Sequence, residues 1–401
     1  MKCMSAKGAR VPDNQAKTAS MLWYQDSMDA SPQKKAGEPR QQHLVSKMLL
    51  KQFAKYDRNG WKVVSFNLEH PDHGHRPKAL RSCGWVENFV KKDASQVERL
   101  WGIVEQRVAP ILPRIIASTS IPTQEEASAL KDLIALHLVR SHWYSQVHKN
   151  AFIETSGKMK RRLVGELGAE LRAWALSETG LYLTDGPAIE HYAERVVNRS
   201  EAVKGELDGT LFRESIERTF TKMRILIDPW GVEVLETGAN ELVIGDCPAV
   251  SVGMKNDIIH SYKMAVGDAS AVVLPISRNA IMSLSSTTAR GAIGSFMVDQ
   301  LNELQIRAAR KYVYFHPASK REEFVRRVCA RIPAMMDRSV QNTVRMPKKS
   351  YLLWLQSGVV AWRQRSGRPC WLRPRAARRV TVGFGSYGRR SPRWHRVFTS
   401  S

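Results

Sequence analysis

The sequence contains few cysteines, no closely spaced cysteine pair and no long apolar run. Its five cysteines are scattered and form no C-x-x-C pair, which argues against a zinc ribbon or a redox dithiol. The longest apolar-leaning stretch, residues 351–362, is too short to cross a bilayer. The N-terminal residues include charges but no long apolar segment, which argues against a secretory signal. We therefore expect a cytoplasmic protein with reduced thiols and no membrane contact.

Acidic residues are absent from the last part of the chain. The 401 residues carry a formal charge of +24, which would favour an anionic partner such as nucleic acid if it were evenly spread. Residues 338–401, however, contain 15 Lys and Arg and no Asp or Glu. The remaining residues include 47 basic and 38 acidic side chains, a balance of only +9. The electrostatic argument for nucleic acid therefore rests mainly on residues 338–401.

This basic segment has two interpretations. Tryptophans lie among its arginines, and the arginine side chains bind phosphate while the aromatic rings stack on bases. Alternatively, abundant Arg and Trp with little Lys and no lasting periodicity indicate an out-of-frame or fused end of the coding sequence, which we favour. On either interpretation we expect disorder, or at most a short helix at residues 351–363. The candidate nucleic-acid contacts are Arg373, Arg375, Arg378 and Arg379.

The rest of the sequence predicts a leader followed by one domain. Residues 1–40 mix polar residues and proline without periodicity, so we expect a disordered leader. Sustained helical periodicity predicts a single, mainly helical domain over residues 41–337. Its strongest helix signal covers residues 123–149, where Thr123 is placed to cap a helix and acidic residues occupy the first turn.

Strand signals predict a small antiparallel sheet within that domain. Residues 56–68 alternate around the turn Asn59-Gly60, which is a strong hairpin signal. Further strands are indicated at residues 230–285, after a series of helices. We expect an α+β fold, predominantly helical, in which the hairpin and the later strands join into one small antiparallel sheet.

Polar residues at the ends of predicted elements are the candidates for function. His43 stands at the head of an apolar run, where a histidine either transfers protons or simply belongs to a surface cap. Arg140 shares a helical face with His137, which predicts either a cationic face toward a cleft or a core helix with polar ends. Asp246 ends an apolar strand, which predicts either a carboxylate presented for chemistry or a turn that locks the loop.

Two acidic or histidine-rich patterns contain residue types that can bind a metal ion. Glu98 and Glu105 are seven residues apart on a predicted helix and so point the same way, as a divalent-ion site or, more commonly, as a solvated flank. Residues 70–75 contain three histidines and an aspartate, but their spacing fixes no ligand geometry, so we interpret them as a polar loop. The sequence therefore predicts no metal site and identifies no cofactor or oligomeric state.

Six segments occur in an order typical of one known family. They are Gln42-His43 with Leu49, Leu50 and Phe53, residues 97–112, residues 135–144 with Arg140, the loop Gly245-Asp246-Cys247-Pro248, residues 274–277, and residues 302–314. Together they resemble a bacterial family catalogued only as domain of unknown function 4238, over roughly residues 40–318. Ser46 and Cys247 stand where that family usually has proline and asparagine. The resemblance implies no reaction.

Two functional hypotheses follow from these residues. In the first, the protein is an enzyme that acts on a phosphate-bearing substrate such as nucleic acid. His43 is then the general acid or base, Asp246 its orienting group or a metal ligand, and Arg140 an anion clamp. In the second, the protein is a non-catalytic module that binds nucleic acid or another partner. The first hypothesis requires these three residues to meet in one cleft. Its candidate substrate contacts are Gln42, Asn302 and Tyr144.

Overall fold

The computed structural model describes residues 40–255, 258–263, 265–267 and 269–331. The predictions for the N-terminal leader and for the basic segment at residues 338–401 lie outside the described residues, apart from Arg40. Within these ranges, none of the helices is both long enough and apolar enough to cross a membrane.

Helices dominate the middle of the chain. They are α1 (Lys47–Lys51), α2 (Ala94–Val108), α3 (Ile111–Ala117), α4 (Gln124–Val139), α5 (His142–Gly165), α6 (Gly168–Thr179), α7 (Pro187–Asn198), α8 (Glu201–Asp208), α9 (Thr210–Ile227), α10 (Ser295–Ala308) and α11 (Arg321–Arg331). A short 3-10 turn occupies Leu80–Ser82.

Strands lie on both sides of this helical region. They are β1 (Gln41–His43), β2 (Lys55–Asp57), β3 (Gly60–Asn67), β4 (Pro77–Ala79), β5 (Trp85–Glu87), β6 (Gly231–Glu236), β7 (Ile244–Gly245), β8 (Val250–Lys255), β9 (Ile258–Lys263), β10 (Ala271–Ser277), β11 (Ala280–Ser285), β12 (Ala289–Ala292) and β13 (Tyr312–Phe315).

The strands form three sheets where the sequence predicted one small sheet. A six-stranded sheet has the order β12-β6-β11-β10-β8-β9, a five-stranded sheet has the order β2-β3-β13-β7 with β4 on β3, and β1 pairs with β5. All pairs are antiparallel except β12 with β6. The prediction of an α+β fold with more helix than strand is confirmed, and the prediction of a single small sheet is wrong.

The predicted hairpin does not join the later strands in the expected way. Its turn is confirmed, since Asp57 pairs with Gly60, whose positive φ of +96° suits glycine. However, β3 pairs with β13 near the end of the described chain, and only the two-residue β7 reaches this sheet from the later strands. The other strands between residues 231 and 285 belong to the six-stranded sheet.

The predicted helix over residues 123–149 is broken into two helices. Its start is confirmed, because the Thr123 side chain and the Glu126 side chain each accept a hydrogen bond from the other's backbone N–H. It ends at Arg140, and the Ser141 hydroxyl accepts from the backbone N–H of Tyr144 to begin α5. Because of this break, Arg140 lies at the C-terminal end of α4.

Helix α4 lies inside the largest apolar cluster, and most of its residues are buried. A helix buried on nearly every side must give its polar side chains protein partners. Asp132 illustrates this rule, because its carboxylate is held by the guanidinium groups of Arg107 and Arg224. The same constraint applies to the two polar residues at the C-terminal end of α4, His137 and Arg140.

Candidate functional site

Arg140 is held by protein groups at the end of α4, where it is only 1% exposed. Its Nε donates to the carbonyl oxygen of Leu44 at 3.1 Å, and its Nη1 donates to Glu105 Oε1 at 2.8 Å. Its Nη2 donates to Ser46 Oγ at 3.2 Å, and its guanidinium carbon lies 4.8 Å from the centre of the Trp101 ring. The structure therefore places the predicted anion clamp at the centre of a buried polar network.

Ser46 ties this network together. Its hydroxyl donates to Glu105 Oε1 at 2.5 Å and lies 3.1 Å from His137 Nε2, in addition to accepting from Arg140. Burial, followed by the charge of Arg140, lowers the pKa of His137 well below its ordinary value. His137 is therefore a neutral ring in the interior, bonded to a hydroxyl that also contacts an ion pair.

His43 and Glu98 lie beside this network, and their pKa values are shifted in opposite directions. Burial and the charges of Lys47 and Arg140 lower the pKa of His43 to about 4, and Glu105 opposes them. Burial raises the pKa of Glu98, as does Glu105, while Arg140 and Lys47 lower it. Because the same three charged side chains act on both groups, His43 and Glu98 belong to one site.

Several buried polar atoms at this site have no hydrogen-bond partner in the part of the chain that the structure describes: His43 Nε2, Glu98 Oε1 and Trp101 Nε1. Buried polar atoms in proteins are usually bonded, so a concentration of unbonded ones points to a site for a ligand or for ordered water. We call this site the Arg140 cluster. It consists of His43, Ser46, Glu98, Trp101, Glu105, His137 and Arg140.

The Arg140 cluster reaches the surface along one edge. The Glu105 side chain is 30% exposed, His43 and Glu98 are half-buried, and Lys47 is exposed. Glu105 thus pairs with Arg140, and Glu98 lies close to both side chains. Within the described residues, no group of three or more His, Cys, Asp or Glu side chains is arranged to bind a metal ion.

Asp246 lies in a different set of hydrogen bonds. Its Oδ1 accepts from the backbone N–H of Arg310 at 2.7 Å, and its Oδ2 accepts from those of Lys311 at 2.8 Å and Tyr312 at 3.0 Å. The backbone N–H of Asp246 also donates to the Tyr312 carbonyl at 2.9 Å. We call this arrangement the Asp246 cradle. Its hydrogen bonds correspond to the interpretation in which Asp246 holds a loop in place. The structure thus brings His43 and Arg140 together and places the Asp246 carboxylate among other partners.

Gln42 bonds to the loop that leads into α2. Its Nε2 donates to the Val90 carbonyl at 2.8 Å, and its Oε1 accepts from the Val90 N–H at 2.7 Å. The neighbouring His43 pairs with Trp85 in the two-stranded sheet. Gln42 therefore helps to position the strand that carries His43.

The other two predicted substrate contacts are also bonded within the protein. Asn302 accepts from the Val243 N–H at 2.8 Å and donates to the Glu241 carbonyl at 3.0 Å. The Tyr144 hydroxyl donates to the Ser215 carbonyl at 2.7 Å. Both residues connect helices to neighbouring backbone, outside the hydrogen bonds of the Arg140 cluster.

The sequence did not single out Ser46 and Trp101 as site residues. Ser46 lies 59 residues from Glu105 and 91 residues from His137, so no local spacing connects them. Trp101 lies in an apolar stripe, where an aromatic residue indicates core packing. Only the shared helical faces, Glu98 with Glu105 and His137 with Arg140, gave a local signal.

The described residues form an α+β fold with three sheets, and a charged cluster lies where α2 meets the end of α4. The family model described as Protein of unknown function (DUF4238) matches residues 41–319, and the chain belongs to this family. That result confirms the family resemblance drawn from the motifs. No curated protein and no solved structure matches the chain. The family description names no reaction, so the function must be argued from the geometry.

Proposed function

We propose that this protein is an enzyme that transfers protons at the Arg140 cluster while it acts on a phosphate-bearing substrate. The observation that carries the proposal is the pair His43 and Glu98, which lie among the same charged side chains, have unbonded buried atoms, and have pKa values that burial shifts in opposite directions. A histidine kept neutral and a glutamate that holds its proton to higher pH can supply a base and an acid within one site.

In this proposal His43 is the general base and Glu98 the general acid. With a pKa of about 4, the His43 ring is neutral near neutral pH and accepts a proton. Glu98 retains its proton to higher pH than an exposed glutamate, because burial raises its pKa. His43 Nε2 and Glu98 Oε1 have no partner among the described residues, so a substrate or a water molecule can bond to them.

Arg140 and Ser46 are positioning residues in this proposal. Arg140 bonds to Leu44, next to His43, and to Glu105, so it holds in place one of the charges that act on both pKa values. Ser46 bonds to Glu105 and to Arg140. The Asp246 cradle supports the connection between β7 and β13, where its three hydrogen bonds hold the backbone.

Charge supports a phosphate-bearing substrate. Lys47 is exposed at the edge of the cluster and is close enough to shift the pKa values of His43 and Glu98. The residues outside 338–401 carry a balance of +9, which attracts polyanions over a longer range. Phosphate oxygens are the usual acceptors for lysine at such sites.

The test is hydrolysis of a panel of phosphate esters by the full chain, including bis(p-nitrophenyl) phosphate and labelled oligonucleotides. We expect turnover to rise as the pH passes about 4, where His43 loses its proton, and to fall as Glu98 ionises. His43→Ala should lower kcat by about 10²–10⁴-fold, and Glu98→Gln should remove the falling limb.

The matched control is His191→Ala, which removes an exposed histidine on α7 and should leave kcat unchanged. Unchanged turnover in His43→Ala would contradict the proposal. Absence of turnover by the parent protein across the whole panel would contradict it as well.

A second candidate function is nucleic-acid binding without catalysis, through Arg373, Arg375, Arg378 and Arg379. The supporting observation is the content of residues 338–401, with 15 Lys and Arg and no acid. Oligonucleotide affinity should then fall steeply with salt and disappear when residues 338–401 are deleted. Retention of binding after this deletion would place the contacts elsewhere in the chain.

A further inference from the structure

We infer that an exposed surface beside the Arg140 cluster binds single-stranded nucleic acid, which names the substrate class of the proposed function on which this inference rests. The surface joins helix α1 to the β2–β3 hairpin, and we call it the α1–hairpin surface. It consists of Lys47, Lys51, Lys55, Tyr56, Arg58 and Trp61.

Two aromatic rings form the centre of this surface. Tyr56 and Trp61 are directly opposed across β2 and β3, and their ring centroids lie 5.2 Å apart with an interplanar angle of 59°. Tyr56 is 66% exposed and Trp61 is 37% exposed, although large aromatic side chains are usually buried. An exposed aromatic pair on a strand is a platform on which unpaired bases can stack.

A row of lysines connects the aromatic rings to the Arg140 cluster. Lys47 and Lys51 are one helical turn apart on α1 and therefore lie on one side of it. The Lys51 ammonium lies 4.9 Å from the centre of the Trp61 ring, while Lys47 is close enough to lower the pKa of His43. A chain of phosphates can thus follow the two lysines from the rings toward His43.

Most cations of this surface form no direct ion pair with a carboxylate among the described residues, although Lys47 lies near Glu98 and Lys55 near Asp57. Among the ion pairs of the described residues, the hairpin contributes Lys62 with Asp57, at 2.9 Å. Four exposed cations of the α1–hairpin surface enter no ion pair within the described ranges: Lys47, Lys51, Lys55 and Arg58. Such cations release counterions when they bind phosphate, which makes the binding salt-dependent.

The combination of stacking rings and unpaired cations selects single strands over duplexes. In a duplex the faces of the bases are stacked on each other and cannot reach Tyr56 or Trp61. A single strand presents both free base faces and phosphates at short intervals, as these groups require.

The experiment measures fluorescence anisotropy of a labelled single strand of about 12 nucleotides, as DNA and as RNA, with a duplex of the same sequence for comparison. The full chain carries Arg373, Arg375, Arg378 and Arg379 changed to Ala, so that these arginines do not contribute. Trp61→Ala should raise the dissociation constant by about tenfold. Lys51→Gln should reduce the magnitude of the slope of log affinity against log salt concentration by about 0.7.

The matched control is Trp174→Ala on α6, because Trp174 is 38% exposed and lies in a different part of the chain. It should leave the dissociation constant unchanged. Trp61→Phe keeps a ring at the site and should retain binding within about threefold, which separates loss of stacking from loss of folding.

Equal affinities of the Trp61→Ala and Trp174→Ala variants would overturn the inference, and so would a duplex that binds as tightly as the single strand. The two proposals fail in different ways. Turnover of bis(p-nitrophenyl) phosphate without oligonucleotide binding overturns this inference alone. Oligonucleotide binding without turnover of any ester contradicts the proposed catalytic function alone.

Discussion

The Arg140 cluster and the Asp246 cradle are both buried polar networks, each at an interruption of regular structure. In the Asp246 cradle, both carboxylate oxygens accept backbone N–H groups, and the bonding joins two strands. In the Arg140 cluster, the central guanidinium is bonded, but His43 Nε2 and Glu98 Oε1 beside it are buried without a partner among the described residues. Both regions contain motifs of the family. The hydrogen bonds of the Asp246 carboxylate are made within the protein, whereas the Arg140 cluster retains unbonded buried atoms.

This difference indicates which of the two regions still has polar atoms that can bind a substrate. A carboxylate that holds three backbone donors is stabilised in place and has few lone pairs left to bind a substrate. A histidine and a glutamate with shifted pKa values and unbonded atoms can exchange protons with a bound molecule. The proposed chemistry therefore lies at the Arg140 cluster, and we expect the cradle to contribute to stability.

The largest effect on stability should come from removing the central guanidinium. Arg140→Ala leaves Glu105 without its cation and Ser46 without the guanidinium donor, so we expect the free energy of unfolding to fall by about 3–5 kcal/mol. Urea unfolding at neutral pH measures this change. Arg140→Lys keeps the charge without the planar guanidinium, so its free energy of unfolding should lie between those of the parent protein and Arg140→Ala. A loss below about 1 kcal/mol for Arg140→Ala would show that the guanidinium does not organise the cluster.

A smaller effect should separate the cradle from the cluster. Asp246→Asn replaces one accepting oxygen with an amide N–H₂ that faces backbone donors, so unfolding should become easier by about 2–3 kcal/mol. The pKa of His43 should remain at about 4, since the charges that shift it are Lys47, Arg140 and Glu105. Asp72→Asn, at an exposed loop position, is the matched control and should change stability by less than about 0.5 kcal/mol.

The Asp246→Asn variant can also contradict the separation of the cradle from the Arg140 cluster. If Asp246→Asn moved the pKa of His43 as far as Arg140→Ala does, the two networks would be one coupled site. Urea unfolding combined with an NMR titration of His43 in both variants distinguishes these outcomes.

Local patterns in the sequence predicted the elements that neighbouring residues determine. The capping pair Thr123 and Glu126 and the turn Asn59-Gly60 are such cases, and both are present. The break after Val139 was not predicted, because the helical spacing of apolar residues continues across it. Ser141 caps α5, but a serine within a helical pattern does not by itself indicate a new helix start. The pairing of β3 with β13 joins distant parts of the chain, and no local signal records it.

The candidate site was predictable residue by residue, but its assembly was not. His43 and Arg140 were identified as candidates from their positions at element ends, and the structure brings both to the Arg140 cluster. Their contacts through Leu44 and Ser46 cross more than 90 residues of sequence, which helical and strand periods do not describe. The opposite shifts of the pKa values of His43 and Glu98 arise from burial, which depends on the whole fold.

The central claim is that His43 is a neutral base inside a charged cluster, and an NMR titration of its ring resonances in the full chain tests this claim most directly. His43→Ala assigns the signal. The account predicts that His43 takes up its proton only at about pH 4. A titration near 6.5, the ordinary value for histidine, would contradict it, because the ring would then be neither buried nor under the influence of Lys47 and Arg140.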